Sequence, residues 1–492
     1  MSLVSRIESD KSEDLLPIGA LHAAFQAQRK AYLRAPFPSY DDRIKHMKAV
    51  AAMVLSHRKE MAGALHEDFG NHPAAPGQLI EVLGIVSRVE YNSRHLADWM
   101  KVETRELDPQ IWGNATATVR PQPKGVIGNM VPWNFPFDIS FGPLIDMLAA
   151  GNRVVLKPSD MTPACGELMA RMIRDSFAAD HVTTVVGGIE LAKVFPTLPW
   201  NHLIYTGSPA VGKIVMRAAA ENLVPVTLEL GGKSPVIFTA DGIDERSIGS
   251  LLGMKRLKSG QVCTSPDHVF VPRSVLAKFI EMAKAIFTTL TPSYSSSPDN
   301  TGIINARHRD RLLRMVAEAR NAGCEVIVLG EDGRNAAPAS RQLPIYLIVE
   351  PRMEMAVLTD EIFGPILPIV PYDDLESVIE QINVGERPLS FSIYSHDKRA
   401  VEDILSRTSS GGACVNTALL NGAVISLPFG GVGNSGMGRH HAVEGFREFS
   451  NPRSVLTRGD APDLLDAFNP PYRTLEAIVA GAFEQIDGSA SN

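Results

Sequence analysis

Leu203-Ile204-Tyr205-Thr206-Gly207-Ser208-Pro209-Ala210-Val211-Gly212 joins a short apolar run to a stretch of helical spacing through a Gly-Ser-Pro turn, and the same alternation recurs on both sides of it. Upstream stand Val126-Ile127 followed by a helical stretch at 136–150, Val154-Val155-Leu156 followed by 162–177, and Val182 to Val186 followed by 189–197. Downstream, after a helix at 210–223, comes Val226 to Leu230. Apolar runs this short, each followed by helical periodicity, read as successive strand-helix units, which fold as a parallel, doubly wound α/β sheet. Such sheets bind ligands beyond the carboxyl ends of their strands, where loops meet helix N-termini. The amides of Thr206 to Gly212 suit a pyrophosphate, although an ordinary tight turn has the same spelling.

The alternation restarts after Leu230 with Ser234 to Phe238, a helix at 244–258, the turn Ser259-Gly260-Gln261-Val262-Cys263-Thr264, Val269-Phe270-Val271 and a helix at 274–288. A second α/β unit over 231–430 is therefore expected, with a ligand site in the cleft between the two. Residues 19–66 and 78–101 carry helical spacing (Leu21, Phe25; Met53, Met61; Leu83, Val86) and break at Pro73, Pro76 and Gly77. Polar Thr116, Thr118 and Arg120 alternate with Ala117 and Val119, so 103–123 reads as an exposed hairpin suited to assembly. Gly431-Val432-Gly433-Asn434-Ser435-Gly436 spells G-x-G-x-x-G but lacks a strand-helix-strand setting, and is expected to be a close-packed loop beside the site.

The chain has 492 residues, a net charge of −7 and 45% hydrophobic residues, which describes a globular protein of two or three domains. Without a Lys/Arg-rich run, neither nucleic acid nor an anionic membrane is expected as the main partner, leaving a small molecule. Four cysteines with no regular framework fit a reducing compartment, and Met1-Ser2-Leu3 leads into charged residues, so no signal peptide and a cytoplasmic location are expected. No cysteine has a spaced Cys or His partner of the kind zinc needs, so no metal is expected. Ala477 to Phe483 falls short of the ~20 apolar residues that span a bilayer and reads as a helix face packed on a partner.

Cys263, in its polar, glycine-bearing turn, has the setting that an activated thiol needs, though a lone cysteine is also a common small core residue, as Cys165, Cys324 and Cys414 read. Asn134 is either an oxyanion donor or a turn-former before Phe135-Pro136, and Glu229 either a base or a strand-end surface carboxylate. Read together, the three point to nucleophilic chemistry on a carbonyl.

Ordered motifs across about 120–450 resemble the aldehyde dehydrogenase superfamily. They are Val131-Pro132-Trp133-Asn134-Phe135-Pro136, Leu156-Lys157-Pro158-Ser159, Thr206-Gly207-Ser208, Glu229-Leu230-Gly231-Gly232-Lys233-Ser234-Pro235, Gly260-Gln261-Val262-Cys263, Glu361-Ile362-Phe363-Gly364-Pro365 and Pro428-Phe429-Gly430-Gly431. Cys263-Thr264-Ser265-Pro266-Asp267 and Gly433-Asn434-Ser435-Gly436-Met437-Gly438 are similar to the class 3 branch, which includes coniferyl aldehyde dehydrogenases.

The resemblance implies a Rossmann-type cofactor domain (1–102 and 124–230), an α/β catalytic domain (231–430), and an oligomerisation element from 103–123 and 431–492 that makes a homodimer. It implies NAD(P)-dependent oxidation of an aldehyde through a thiohemiacetal and a thioester on Cys263, with Asn134 stabilising the oxyanion and Glu229 activating water. Aromatic, coniferyl aldehyde-like or medium-chain substrates are implied. Lys157 would contact the adenosine ribose, Gly207, Ser208 and Gly212 would form the pyrophosphate turn, Trp133 would wall the nicotinamide, Glu361 with Phe363 would hold its ribose, and Ser159 and Leu230 would also bind the cofactor. Taken alone, Lys157 also reads as a solvated strand-end lysine and Phe363 as a core aromatic. Asp160 stands where many relatives have Glu, and a carboxylate there favours NAD, with NADP tolerated. Lys258 replaces the family's usual Asn, either lowering the thiol pKa or standing as a solvated charge. Two alternatives differ in class: an acylating enzyme that passes the thioester to coenzyme A, and a catalytically silent relative.

Overall fold

The computed structural model describes residues 3–291, 293–330 and 340–489. The expected strand-helix units form a six-stranded sheet in the order Gly436–Met437, Val226–Leu230, His202–Gly207, Val126–Met130, Arg153–Lys157, Val182–Thr184. All pairings are parallel except that of the edge strand Gly436–Met437. The chain starts at the central strand Val126–Met130, winds outward to Val182–Thr184, then crosses back to His202–Gly207. The switch point lies where the ends of Val126–Met130 and His202–Gly207 diverge.

Helices cover both faces of this sheet, as a parallel sheet requires. Ile127, Val154, Leu156 and Ile204 pack with Phe141, Leu144, Met169 and Met172 on one side. Val126, Met130, Val155, Leu203 and Tyr205 pack with Leu21, Phe25 and Trp200 on the other. The N-terminal helices feed this core. Tyr40–Phe69 is set by a capping box in which Ser39 Oγ accepts from Asp42 N at 3.2 Å and Ser39 N donates to Asp42 Oδ2 at 3.1 Å, and it stops at the left-handed Gly70.

The second sheet has seven strands in the order Glu325–Leu329, Ile345–Val349, Ile366–Tyr372, His268–Pro272, Pro235–Phe238, Ser390–Tyr394, Gly412–Val415. Only Glu325–Leu329 runs antiparallel, on an edge. A third, fully antiparallel sheet joins Glu103–Arg105 to Thr116–Pro123, and Thr116–Pro123 to Ser450–Thr457, with a short helix, Pro109–Trp112, inside the expected hairpin. Within 431–492, Gly436–Met437 and helix Ala442–Glu448 pack on the six-stranded unit, while Ser450–Thr457 joins the hairpin. Among the described residues no helix is long and apolar enough to cross a membrane.

Candidate functional site

Helix Glu245–Arg256, capped by Asp244 accepting from Ser247 N at 2.8 Å, runs into three consecutive left-handed residues: Lys258 (φ 48°), Ser259 (φ 53°) and Gly260 (φ 73°). Left-handed backbone costs ~1–2 kcal/mol for each residue with a Cβ, so the surroundings must hold it. They do. Ser259 Oγ donates to Asn300 Oδ1 at 2.8 Å and to the Thr301 carbonyl at 2.6 Å. Gln261 Nε2 donates to the Lys258 and Gly302 carbonyls, each at 3.0 Å, and Gln261 Oε1 accepts from Ile304 N at 2.9 Å. A Cβ on Gly260 would stand 2.3 Å from the Gly364 carbonyl oxygen, so both conformation and space demand glycine. Cys263 follows, partly exposed between buried Val262 and Thr264.

Two carboxyl groups flank this thiol. Glu229, on strand Val226–Leu230, is only 2% exposed, so it is no surface carboxylate, and neither of its oxygens has a hydrogen-bond partner among the described residues. His440 Nε2 lies 3.7 Å from its Oε1. Glu361 also keeps an unpartnered buried oxygen, Oε1, and its carboxylate occupies the space where a Cβ on Gly231 would be. Burial pushes the Cys263 thiol up to about 12, and Glu361 and Glu229 add to the rise. Burial likewise lifts Glu229 well above the carboxylate range and, with Asp267 nearby, Glu361 to about 7. Burial holds His440 down to about 3, hence neutral. Asp267 itself, despite burial, is brought down to about 2 by Lys233, His268 and Lys255, and it anchors the neighbouring loop by accepting from Ile362 N at 2.9 Å.

Asn134 is buried on the segment that leaves the central strand. Its neighbour Phe135 shares an apolar cluster with Val262 and Leu419, which brings the Asn134 segment against the Cys263 turn. Trp133 meets Phe363 edge-on at 5.3 Å between ring centroids and lies 5.5 Å from His308, so Phe363, left-handed at φ 47°, belongs to this wall.

A second group of predicted residues gathers at the strand ends of the six-stranded sheet. A Cβ on Gly207 would stand 2.2 Å from Tyr205 Oη, and one on Gly212 2.7 Å from Leu230 Cδ2, so side chains at either position would have to displace the ends of these two residues. Ser208 caps helix Pro209–Ala220, its Oγ accepting from Val211 N at 3.4 Å. Lys157 is buried rather than solvated, its Nζ donating to the Pro158 carbonyl at 3.1 Å. Ser159 Oγ accepts from Met161 N at 3.2 Å, and Asp160 is exposed beside it. A glycine turn feeding a helix N-terminus, together with an unpartnered buried Glu361 oxygen, fits a dinucleotide: amides for phosphate, a carboxylate for ribose hydroxyls. Among the described residues no cluster of metal-ligating side chains occurs.

The reading of Lys258 as a solvated charge needs correction. It is 4% exposed, not solvated, and its Nζ donates to Glu81 Oε1 at 2.6 Å and to the Asn134 carbonyl. Its charge is paired with that of Glu81. Glu81 was missed by sequence reasoning, although a charge inside the apolar run Leu79-Ile80-Glu81-Val82-Leu83 was its signal. The His440-His441 pair was missed too, and nothing in its spacing pointed to Glu229.

The aldehyde dehydrogenase family model matches residues 19–455. The chain is 39% identical over 459 residues to the coniferyl aldehyde dehydrogenase of a Pseudomonas species, covering 93% of this chain and 95% of that one. It is 33% identical over 417 residues to the dimeric, NADP-preferring aldehyde dehydrogenase of Canis lupus familiaris, covering 85% and 90%. Among solved structures, the substrate-bound state of Staphylococcus aureus AldH superposes with a TM-score of 0.87 at 29% identity, covering 94% of this chain and 99% of that one. Since the match runs through both large sheets and across the Cys263 turn, the chain belongs to the aldehyde dehydrogenase family, enzymes that oxidise aldehydes with NAD or NADP.

Proposed function

We propose that this enzyme oxidises aromatic aldehydes of the coniferyl type, and medium-chain aldehydes, to free acids, with Cys263 as nucleophile, Asn134 as oxyanion donor and Glu229 as base. The observation that carries this reading is the buried Glu229 carboxyl, both oxygens unpartnered, beside a partly exposed thiol. An orphaned buried carboxyl has no structural task and calls for a chemical one. The substrate class is supported by the 39% identity to the Pseudomonas enzyme.

Cys263, once deprotonated, attacks the aldehyde carbon, and the carbonyl π pair moves to oxygen, where the Asn134 side-chain amide and the Cys263 N–H receive it. When bound, the oxidised dinucleotide supplies the acceptor for the hydride that this carbon loses. The oxyanion pair then re-forms the C=O bond, leaving a thioester on Cys263. Glu229, in its ionised form, takes a proton from water as the water oxygen adds to the thioester. The C–S bond breaks, its electron pair returns to Cys263, and the acid departs.

Lys157, Ser159, Asp160, Gly207, Ser208, Gly212, Trp133, Leu230, Glu361 and Phe363 would hold the dinucleotide. The exposed Asp160 carboxylate would repel a 2′-phosphate, which favours NAD over NADP; a kcat/KM ratio strongly favouring NADP would reverse this. A homodimer is supported by the exposed three-stranded sheet and by Ile478, Val479 and Phe483, left open on helix Arg473–Ser489. Four free cysteines support a cytoplasmic location.

The test is NADH formation from a panel of aromatic and aliphatic aldehydes with wild type, Cys263→Ala and Glu229→Gln, with acyl-CoA assayed in parallel. Coniferyl aldehyde should rank first, the Cys263 variant should be silent, and the Glu229 variant should give one burst of NADH without turnover. Turnover that requires coenzyme A would replace hydrolysis by acyl transfer.

A further inference from the structure

Residues 258–260 are fixed to the loop at 300–304 by Ser259 and Gln261, but Lys258 reaches away from it. Its Nζ crosses to the segment after the central strand of the other large sheet, where it donates to the Asn134 carbonyl and pairs with Glu81 Oε1 at 2.6 Å. Glu81 grips the same segment three residues on: its Oε2 accepts from Phe137 N at 2.9 Å and from Asp138 N at 3.4 Å, at the start of helix Asp138–Ala149. A carboxylate at a helix N-terminus is well placed against the helix dipole. The ammonium also lies 4.1 Å from the Phe135 ring centroid and 5.0 Å from that of Phe69. Both ends of 134–138 are thus held by one buried ion pair whose cation belongs to the Cys263 turn. Ile80 and Leu257, the residues preceding Glu81 and Lys258, pack on the Phe135-Val262 cluster, so apolar contact continues the tie.

We propose that Lys258 and Glu81 are positioning residues: the pair clamps the Asn134 segment to the Cys263 turn, so that the two donors of the oxyanion hole, carried by different sheets, converge on one oxygen. Fixing the Asn134 carbonyl fixes that residue's peptide plane and, through it, the direction of the side-chain amide. A donor misplaced by an ångström stabilises a developing oxyanion poorly while leaving ground-state binding nearly intact. The pair therefore affects kcat more than KM. A left-handed Lys258 serves the same end, because it turns the side chain out of the helix direction and across to the neighbouring segment.

The proposal rests on the reading of Asn134 as oxyanion donor, and the test separates the two. Lys258→Met alone strands the buried Glu81 carboxylate and risks unfolding, so the deciding variant is Lys258→Met/Glu81→Gln. It leaves no unpaired charge and keeps an acceptor for Phe137 N. That variant, Asn134→Ala and the triple combination are compared for kcat, KM for aldehyde, NAD affinity by fluorescence, and the pH dependence of Cys263 alkylation. The double variant should lose about 10-fold or more in kcat with KM changed less than about threefold, while NAD affinity and the alkylation profile stay as in wild type. In the Asn134→Ala background, removal of the pair should cost less than about twofold further, because its target is gone. A kcat within twofold of wild type in the folded double variant, an equal loss in the Asn134→Ala background, or a shifted alkylation profile would each overturn the clamp. If Asn134→Ala itself leaves kcat unchanged, the oxyanion reading fails and the clamp falls with it.

Discussion

Gly231→Ala isolates one contact at the cofactor end of the site. Gly231 is not among the left-handed glycines, so the substitution adds a methyl group and little backbone strain. That methyl would stand 2.2 Å from Glu361 Oε2, 2.4 Å from Oε1 and 2.6 Å from Cδ. Ordinary carbon contacts are ~3.5 Å or longer, so the carboxylate must retreat by about 1 Å or more. A hydrogen bond to an ionised group contributes ~1.5–3 kcal/mol, so losing Glu361 as a ribose ligand should weaken NAD binding about 10- to 100-fold. The same retreat moves the Glu361 charge relative to Cys263, so the rate of alkylation by iodoacetamide without cofactor should change at pH 8. Fluorescence titration with NAD, the alkylation rate and Tm would be measured together. In a Glu361→Ala background Gly231→Ala should do no further harm to NAD binding. A folded Gly231→Ala enzyme binding NAD within twofold of wild type would show that the Glu361 carboxylate does not hold the cofactor.

Because the thiol lies at about 12 and Glu229 is raised by burial, kcat/KM should climb with pH from neutral into the alkaline range; a flat profile across pH 7–10 would mean that neither deprotonation limits the reaction. Asp146, pushed up to about 7 by burial, holds an extra proton in the folded state between its unfolded value near ~3.9 and 7, so its contribution to stability declines as pH rises through that window by up to about 1.4 kcal/mol per unit. Tm of wild type should therefore fall more from pH 5 to pH 7.5 than Tm of Asp146→Asn, and equal slopes would refute the assignment. Gly260→Ala forces a Cβ into left-handed backbone and against the Gly364 carbonyl, and should cost ~2–4 kcal/mol or abolish folding; a variant of wild-type Tm would contradict the geometry of the turn.

The strand-helix units were legible where a strand is a short apolar run buried on both faces, as Val154-Val155-Leu156 is, and local periodicity reports that directly. Motif spelling likewise led to Cys263, Glu229 and Glu361, which the fold brings together. The other half of the site was hidden for a physical reason. Lys258 and Glu81 are 177 residues apart, and a pairing between two buried charges leaves no periodic trace in either neighbourhood. Lys258 read alone is a helix-end lysine; only its partner makes it internal. Gly436–Met437 was equally silent, since a two-residue strand has no alternation to detect.

That short edge strand bears on how the protein is made. Gly436 pairs antiparallel with Glu229, in a chain that has meanwhile built the whole seven-stranded sheet. On the ribosome, every residue from 126 to 230 emerges long before the strand that closes their sheet. A nascent chain stopped near residue 430 carries Val226–Leu230 with an open edge, the kind of surface on which a second copy can pair. Sealing by Gly436–Met437 therefore waits until the strands of both large sheets have been translated, and until then the strand that bears Glu229 keeps an open edge.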